Sequence, residues 1–309
     1  MIKRPVPWPN GAKVAVAITF DMDADSLIHI EHPRDSITRV STMSMLKYGP
    51  QVGVPRILDG YRRFGLKQTF FVPAWCIEQY PEAVEAMIKD GHEVGFHGYI
   101  HEAPNSLSRD EEHYWMQRSI AVIEKHTGKR PRGNRSPLYN FSMHTAELLG
   151  QEGFLYDSSL MGDDVPYILK TTKGAELVEL PSSWALDDWP PYVHSIDLNY
   201  MFQIMSPDRA MESFMAEFES MRTAGGGLWI GVWHPFVSGR LSRWQRIEKM
   251  IEYMLATGEV WFATLEAIAT HIQTLRKEGK YDARVDQLPY YDKSPMPHPL
   301  PSTAIRGLH

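Results

Sequence analysis

Apolar residues fall in short runs along the chain, and these alternate with segments of helical period. Lys13–Phe20 (KVAVAITF) is apolar at odd and even positions alike, the pattern of a strand buried on both faces of a parallel sheet. Further strands are predicted at Gln68–Val72, His92–Phe96, Phe154–Asp157, Leu177–Leu180, Leu228–Trp233 and Val260–Ala263, with a short one before Arg135. A helix is predicted over Val54–Phe64, with Pro55 in its first turn and Gly65 at its end. Another runs from Pro81 to Asp90. Ser108-Arg-Asp-Glu111 has the form of a capping box and opens a helix ending at Gly128. Ser142 caps a further helix that finishes by Gly153, and Arg243–Ala256 and Leu265–Arg276 complete the set. The clearest helix begins at Pro207, where Met211, Phe214, Met215, Phe218 and Met221 form one stripe that reads as core packing. Ser26–Gly53 lacks a clear period and is expected to be a long connection, a kind of segment that is often functional.

Strands alternating with helices at this spacing predict an α/β fold with a parallel sheet, open or closed. From Glu278 the pattern changes: Pro289, Pro295, Pro297, Pro299 and Pro301 interrupt a tail with little periodicity. The chain therefore divides into a body, residues 1–277, and a Pro-rich arm, residues 278–309, either extended over a neighbouring surface or without fixed structure.

Composition narrows the function. Apolar residues make up 43% and charged residues 23%, as in ordinary globular proteins. The net charge of −6 gives no basic face for nucleic acid. No apolar run approaches the roughly 18 residues of a membrane span, and the start, MIKRPVPWPNGAK, lacks the apolar core of a secretory signal. The single Cys76 excludes an intrachain disulfide and suits a reducing compartment; its position after strand two predicts burial. A cytoplasmic enzyme is the expectation.

The candidate chemistry lies at strand ends, where α/β barrels gather their functional side chains at one mouth. Asp21 and Asp23 close the first strand; His97 and His101 follow the third; Arg135 and His234 follow later ones. Any one of these alone is commonly a cap or a surface group, and it is the shared location that singles them out. Two imidazoles and a carboxylate form a common ligand set for a catalytic divalent ion, with a position left for water. Held by Asp23, His97 and His101, such an ion would lower the pKa of bound water, a neighbouring carboxylate could take its proton, and His234 could protonate a departing nitrogen. Arg135 could pair with the base. Asp25 shares the parity of Asp21 and Asp23 in an extended chain, so which two of the three face inward stays open. His113, His126 and His144 lie in predicted helices and are expected to face solvent. The Asp187-Asp188 pair reads as solvated or capping, and Tyr139, Trp184, Trp189 and Tyr192 as core or interface ahead of pocket walls.

Four segments carry a family resemblance: Thr19-Phe-Asp21-Met-Asp23, His97-Gly-Tyr-Ile-His101, Arg135-Ser-Pro137 and Ile230-Gly-Val-Trp-His234. In this order they resemble the polysaccharide deacetylase family, the NodB-homology or carbohydrate esterase 4 group. The resemblance implies a distorted (β/α) barrel of about seven strands. It also implies Asp21 as base, Asp23, His97 and His101 as metal ligands, His234 as acid, and Arg135 as tether of the base. Met22 splits the family's adjacent Asp-Asp, Gly98 stands where sugar deacetylases usually carry a hydroxyl residue, and no Trp follows Asp157 at their spacing. With Trp8-Pro-Asn-Gly11 and the long segment before Val54, this pattern is similar to an intracellular subgroup of cyclic imide hydrolases, allantoinase-like enzymes and proposed peptidoglycan deacetylases, whose members tend to be homotetramers.

The first expectation is thus a metal-dependent hydrolase of carbon–nitrogen bonds, opening small cyclic imides or ureides. The second is an N-deacetylase of amino sugars using the same residues. A non-catalytic binding protein stands third, because an uncompensated buried carboxylate is costly to keep without use. Zinc is the first choice of metal, with manganese, cobalt and nickel as alternatives.

Overall fold

A computed structural model describes residues 1–291 and 293. In chain order the strands are β1 (Val14–Asp21), β2 (Thr69–Val72), β3 (Glu93–Phe96), β4 (Gly133–Asn134), β5 (Tyr156–Asp157) and β6 (Tyr167–Thr171). They continue with β7 (Glu176–Glu179), β8 (His194–Ser195), β9 (Tyr200–Met201), β10 (Gly227–Trp233), β11 (Val260–Phe262) and β12 (Val285–Leu288). Ten of them form one sheet in the order β10-β1-β2-β3-β4-β5-β7-β6-β12, with β11 also on β1; β8 and β9 make a separate hairpin. The seven strands from β10 to β7 in that order pair parallel throughout, and among the described residues of this sheet only β6 with β7 is antiparallel. Helices fill the connections, which gives the expected NodB-type α/β architecture; the additional strands are β6, β11 and β12.

β1 is the hub. All eight of its residues and all seven of β10 are buried, as their unbroken apolar runs require of strands covered on both faces. One edge of β1 pairs with β10 along its length. The other edge is shared: β11 takes Val14–Val16 and β2 takes Phe20–Asp21. This leaves the Ile18 peptide between them without a strand partner. Its N–H donates to Gln68 Oε1 at 2.6 Å and its carbonyl accepts from the Tyr61 hydroxyl at 2.8 Å. Two buried side chains so satisfy the gap that a splayed sheet would otherwise leave.

The segment Ser26–Gly53 departs from expectation. It is mostly helical, with helices Ser26–Glu31 and Val40–Tyr48 and a wide turn, Gly49–Gly53, running into the helix Val54–Phe64. Only Thr42 and Leu46 of the Val40–Tyr48 helix are buried, so no apolar stripe announces it. Gly53 lies so close to the Pro235 carbonyl that a Cβ there would sit 2.3 Å from the oxygen, which seats this turn beneath the segment after His234. The helix Ala74–Gln79 and strands β6, β8 and β9 were also not anticipated; all are short, and each gives too few positions for a period to show. The helix after Ser142 starts at Thr145, the Ser142 hydroxyl accepting from the amides of His144 and Thr145.

Of the expected C-terminal arm, residues 278–288 lie along the sheet. The Tyr281 hydroxyl donates to the Pro166 carbonyl at 2.8 Å, and Val285–Leu288 pairs parallel with β6. Pro295, Pro297, Pro299 and Pro301 lie outside the described residues. Among the described residues no helix is long and apolar enough to cross a membrane.

The narrow strand β4 delivers Arg135, and it fits because residue 133 has no side chain. A Cβ on Gly133 would fall 1.8 Å from the Tyr156 ring, whose hydroxyl is tied to Glu93 at 2.7 Å. Gly133→Ala is therefore expected to destabilise the fold by about 1–3 kcal/mol, seen as a melting temperature several degrees lower. An unchanged melting curve would mean that the ring yields freely.

Candidate metal centre and active site

Extended backbone at the end of β1 puts Asp21 and Asp23 on one face and turns the intervening Met22 into the core, fully buried. Met22 therefore does not separate the two carboxylates. Its amide still pairs with the Phe71 carbonyl at 2.8 Å. At Ala24 the chain turns with φ of 48°, and Asp25 leaves the cluster to accept from the Tyr80 hydroxyl. The question of which two acids face inward is thereby answered by a turn.

His97 follows β3 and donates from Nδ1 to the Arg135 carbonyl at 2.6 Å, which aims Nε2 at Asp23 Oδ1, 3.3 Å away. His101 Nε2 stands 3.6 Å from Asp23 Oδ2. Candidate ligand atoms of Asp23, His97 and His101 all lie within 4.8 Å of one another, and all three residues are buried. Both Asp23 carboxylate oxygens are buried without a hydrogen-bond partner. A carboxylate desolvated in this way is costly unless a cation completes it, so the residues present fit a divalent ion. Burial opposes the charge of Asp23, but His101, His97 and His234 around it outweigh burial and hold its carboxyl well below the ordinary value. Burial pushes His101 down to about 4, which favours the neutral imidazole that a metal needs.

Asp187, Asp188 and His234 make a second tight group. Here the polar atoms are spoken for. Asp187 accepts from the Trp189 amide at 2.7 Å and from the Tyr139 hydroxyl; Asp188 accepts from His234 Nδ1 at 2.6 Å and from the His234 amide at 3.0 Å. This is a hydrogen-bond network rather than a cation cage. Burial disfavours charge on His234, but Asp188 outweighs it and raises the imidazole to about 10. Nε2 of His234 faces Asp23 Oδ2 at 3.5 Å, so its proton points toward the same space as the first cluster.

Arg135 is almost wholly buried, and its guanidinium lies over the Phe71 ring at 4.4 Å. Nη1 donates to Asp21 Oδ1 at 2.8 Å and to Thr19 Oγ1 at 2.7 Å, while Nε and Nη2 take the carbonyl and hydroxyl of Ser158, each at 3.1 Å. Each nitrogen of its fork is engaged within the protein, so Arg135 holds Asp21 in one orientation. The groups meet at the floor of a cavity of about 670 Å³, walled by Leu27, Ile30, Leu138, Trp189, Leu198 and Tyr200. Three of the six described non-glycine residues with positive φ line it, His101, Leu138 and Tyr139, and two more, Ala24 and Asn199, adjoin lining residues. Backbone strain of that kind gathers where a site is held by its surroundings.

All six candidate residues therefore come together: Asp21, Asp23, His97, His101, Arg135 and His234. Two expectations are corrected. Asp187 and Asp188 are buried beside His234 rather than solvated, because residues 187–188 run alongside the end of β10, with the Asp188 amide bonded to the Val232 carbonyl at 3.1 Å. Tyr139, Trp184 and Trp189 line the cavity; only Tyr192 of the four aromatics is simple packing, its hydroxyl on the Pro207 carbonyl.

A family model for polysaccharide deacetylase matches residues 38–156, a span with His97, His101 and Arg135 inside it and Asp21, Asp23 and His234 outside. A peptidoglycan deacetylase of Helicobacter pylori is 32% identical over 246 residues, 72% of this chain and 84% of the relative. The chain belongs to the polysaccharide deacetylase family. Membership makes it a hydrolase of carbon–nitrogen bonds other than peptide bonds. A solved Mycobacterium smegmatis structure, assigned to the polysaccharide deacetylases, is 40% identical with a TM-score of 0.86 over 92% of this chain and 97% of its own. The Puue allantoinase structure shares the fold, with 23% identity and a TM-score of 0.77 over 91% and 96%.

Beneath the Arg135 loop this deacetylase-family chain keeps a pair of fully buried acids, Asp157 and Glu179, the latter accepting from the Leu160 amide at 3.0 Å. Asp157 also accepts from Asn134 and from the amide and hydroxyl of Ser159, whose oxygen in turn holds the Ser136 amide at 2.8 Å. Burial, and then the Asp157 charge, push Glu179 well above the ordinary carboxylate value. A raised folded-state pKa gives stability that is complete in acid and lost as pH rises through it. Glu179→Gln keeps a neutral donor to Asp157 and is expected to flatten the alkaline loss of stability. Urea denaturation between pH 6 and pH 10 checks this: parallel losses in both proteins would show that Glu179 is already ionised in the fold over that range.

Proposed function

We propose that this hydrolase uses a divalent ion to open small cyclic imides or related ureides. The observation that carries the reading is the apolar walling of the pocket. Leu27 and Ile30 on the helix Ser26–Glu31 form one wall, and Leu198 and Tyr200, beside and on the β8–β9 hairpin, form another. The two walls are clasped by Asp197, which accepts from Arg39 Nη1 at 2.8 Å and from Thr42, while its carbonyl bonds His32 at 2.7 Å. Apolar walls with a few convergent polar groups on the floor suit a small neutral ring.

Asp23, His97 and His101 would hold the ion, with zinc as first choice. An ion there would bring the pKa of bound water from about 15.7 toward about 7 and polarise the substrate carbonyl. Asp21, oriented by Arg135, takes the proton of the attacking water. His234, fixed by Asp188 through Nδ1, carries a proton on Nε2 for the departing nitrogen. That second transfer matters because an amide anion is a very poor leaving group. The same reading has the protein in the cytoplasm as a homotetramer, with the exposed Ile196, Met201, Phe202 and Ile204 as apolar surface for a subunit contact.

A second reading, N-deacetylation of amino sugars, is favoured by the name of the Helicobacter pylori relative. Turnover of succinimide and hydantoin, with N-acetylglucosamine oligomers inert, is the expected result; the reverse pattern would replace the first reading with the second. Asp23→Ala and His97→Ala are expected to lose both metal and activity. Asp21→Asn and His234→Ala should keep the metal while turnover falls about 100–10,000-fold, the range of acid–base catalysis. Metal analysis and steady-state kinetics check these outcomes, and unchanged turnover in His234→Ala would remove it as the acid.

A further inference from the structure

For one short loop to offer two imidazoles to a single cation, the chain between His97 and His101 must fold back on itself. Their rings come within 5.0 Å, inclined at 70°. The turn uses two left-handed residues, Gly98 at φ of 72° and His101 at φ of 69°. On its outer side the loop is secured by carbonyls: those of Gly98 and Tyr99 accept from the amides of Ala74 and Trp75 at 3.1 and 2.7 Å. On its inner side two successive amides remain, those of Tyr99 and Ile100, and both point at one carboxylate. The Tyr99 N–H lies 2.8 and 3.0 Å from the Glu102 oxygens, and the Ile100 N–H lies 2.7 Å from Oε2. Consecutive backbone amides around an anion form a nest, and bonds to a charged acceptor are the strong kind.

Among the described residues Glu102 forms no ion pair with any Lys or Arg, so a surface salt bridge does not account for it. It also explains Gly98. A Cβ at that position would lie 3.2 Å from Glu102 Oε1 and 3.2 Å from the Pro137 ring, so the carboxylate occupies the room a side chain at 98 would take. The loop is thus closed from within by the residue that follows the second imidazole.

We propose that Glu102 is a positioning residue for His101: its carboxylate gathers the Tyr99 and Ile100 amides and thereby holds His101 in the left-handed conformation that turns Nε2 toward Asp23. This rests on Asp23, His97 and His101 being the metal ligands. Partners of this outer kind are commonly worth about 10–100-fold in metal affinity.

The test is Co²⁺ binding to the metal-stripped full chain, followed by the visible band and by competition with a chelating dye. Wild type, Glu102→Ala, Glu102→Gln and Asp23→Ala are compared, with circular dichroism as the check on folding. Glu102→Ala is expected to bind Co²⁺ about 10–100-fold more weakly and with a changed band. Glu102→Gln should fall between it and wild type, since its amide keeps one acceptor but sets a donor against the nest; it carries the test alone if the alanine variant does not fold. Wild-type affinity and an unaltered band in a folded Glu102 variant would overturn the proposal. Failure of the wild type to bind, or undiminished binding by Asp23→Ala, would instead overturn the ligand assignment beneath it.

Discussion

At the centre of the structure is a carboxylate kept from water with no hydrogen-bond donor to satisfy it. Removing one charged group from solvent costs several kcal/mol in real proteins, and Asp23 has only imidazole edges around it. Everything nearby is arranged so that the gap between those groups stays open. His97 is turned by the Arg135 carbonyl, His234 by Asp188, and His101 by a strained left-handed backbone. A cation in that gap would offset the desolvation that the protein alone leaves standing.

The two acids of β1 differ because their neighbours differ. Asp21 has a guanidinium and so needs no metal to be satisfied; Asp23 has none. Arg135 can serve Asp21 alone because Thr19 and Ser158 take up the rest of its donors, and Ser158 belongs to a buried acid-and-serine layer built on Asp157 and Glu179. Orientation at the floor of the pocket is therefore inherited from a polar layer below it, in which each group is fixed by the next.

Above the floor, the pocket is walled by segments that lie outside the main sheet. The clasp of Arg39 and Thr42 on Asp197 joins two segments with no strand in the main sheet. Neither segment has the periodicity that would announce it: the Val40–Tyr48 helix buries two residues, and β8 and β9 are two residues each. The feature that most bears on substrate was thus the least legible in the chain, since it is secured by a few polar contacts rather than by an apolar face.

Sequence by itself determined the parallel sheet and gathered the candidate residues at strand ends, with Asp25 still standing beside Asp21 and Asp23 among them. An apolar run on both parities such as Lys13–Phe20 has few other ways to be buried, and strand ends in such folds point to one mouth. Only the tertiary structure decided which acids face inward, what lies behind each imidazole, and what walls the pocket. Asp25 is excluded by the turn at Ala24, and Asp188 enters by running beside β10, a neighbour 46 residues away from His234 in sequence. A local pattern records which face of an element is apolar. It carries no record of the distant side chain that will come to stand against it.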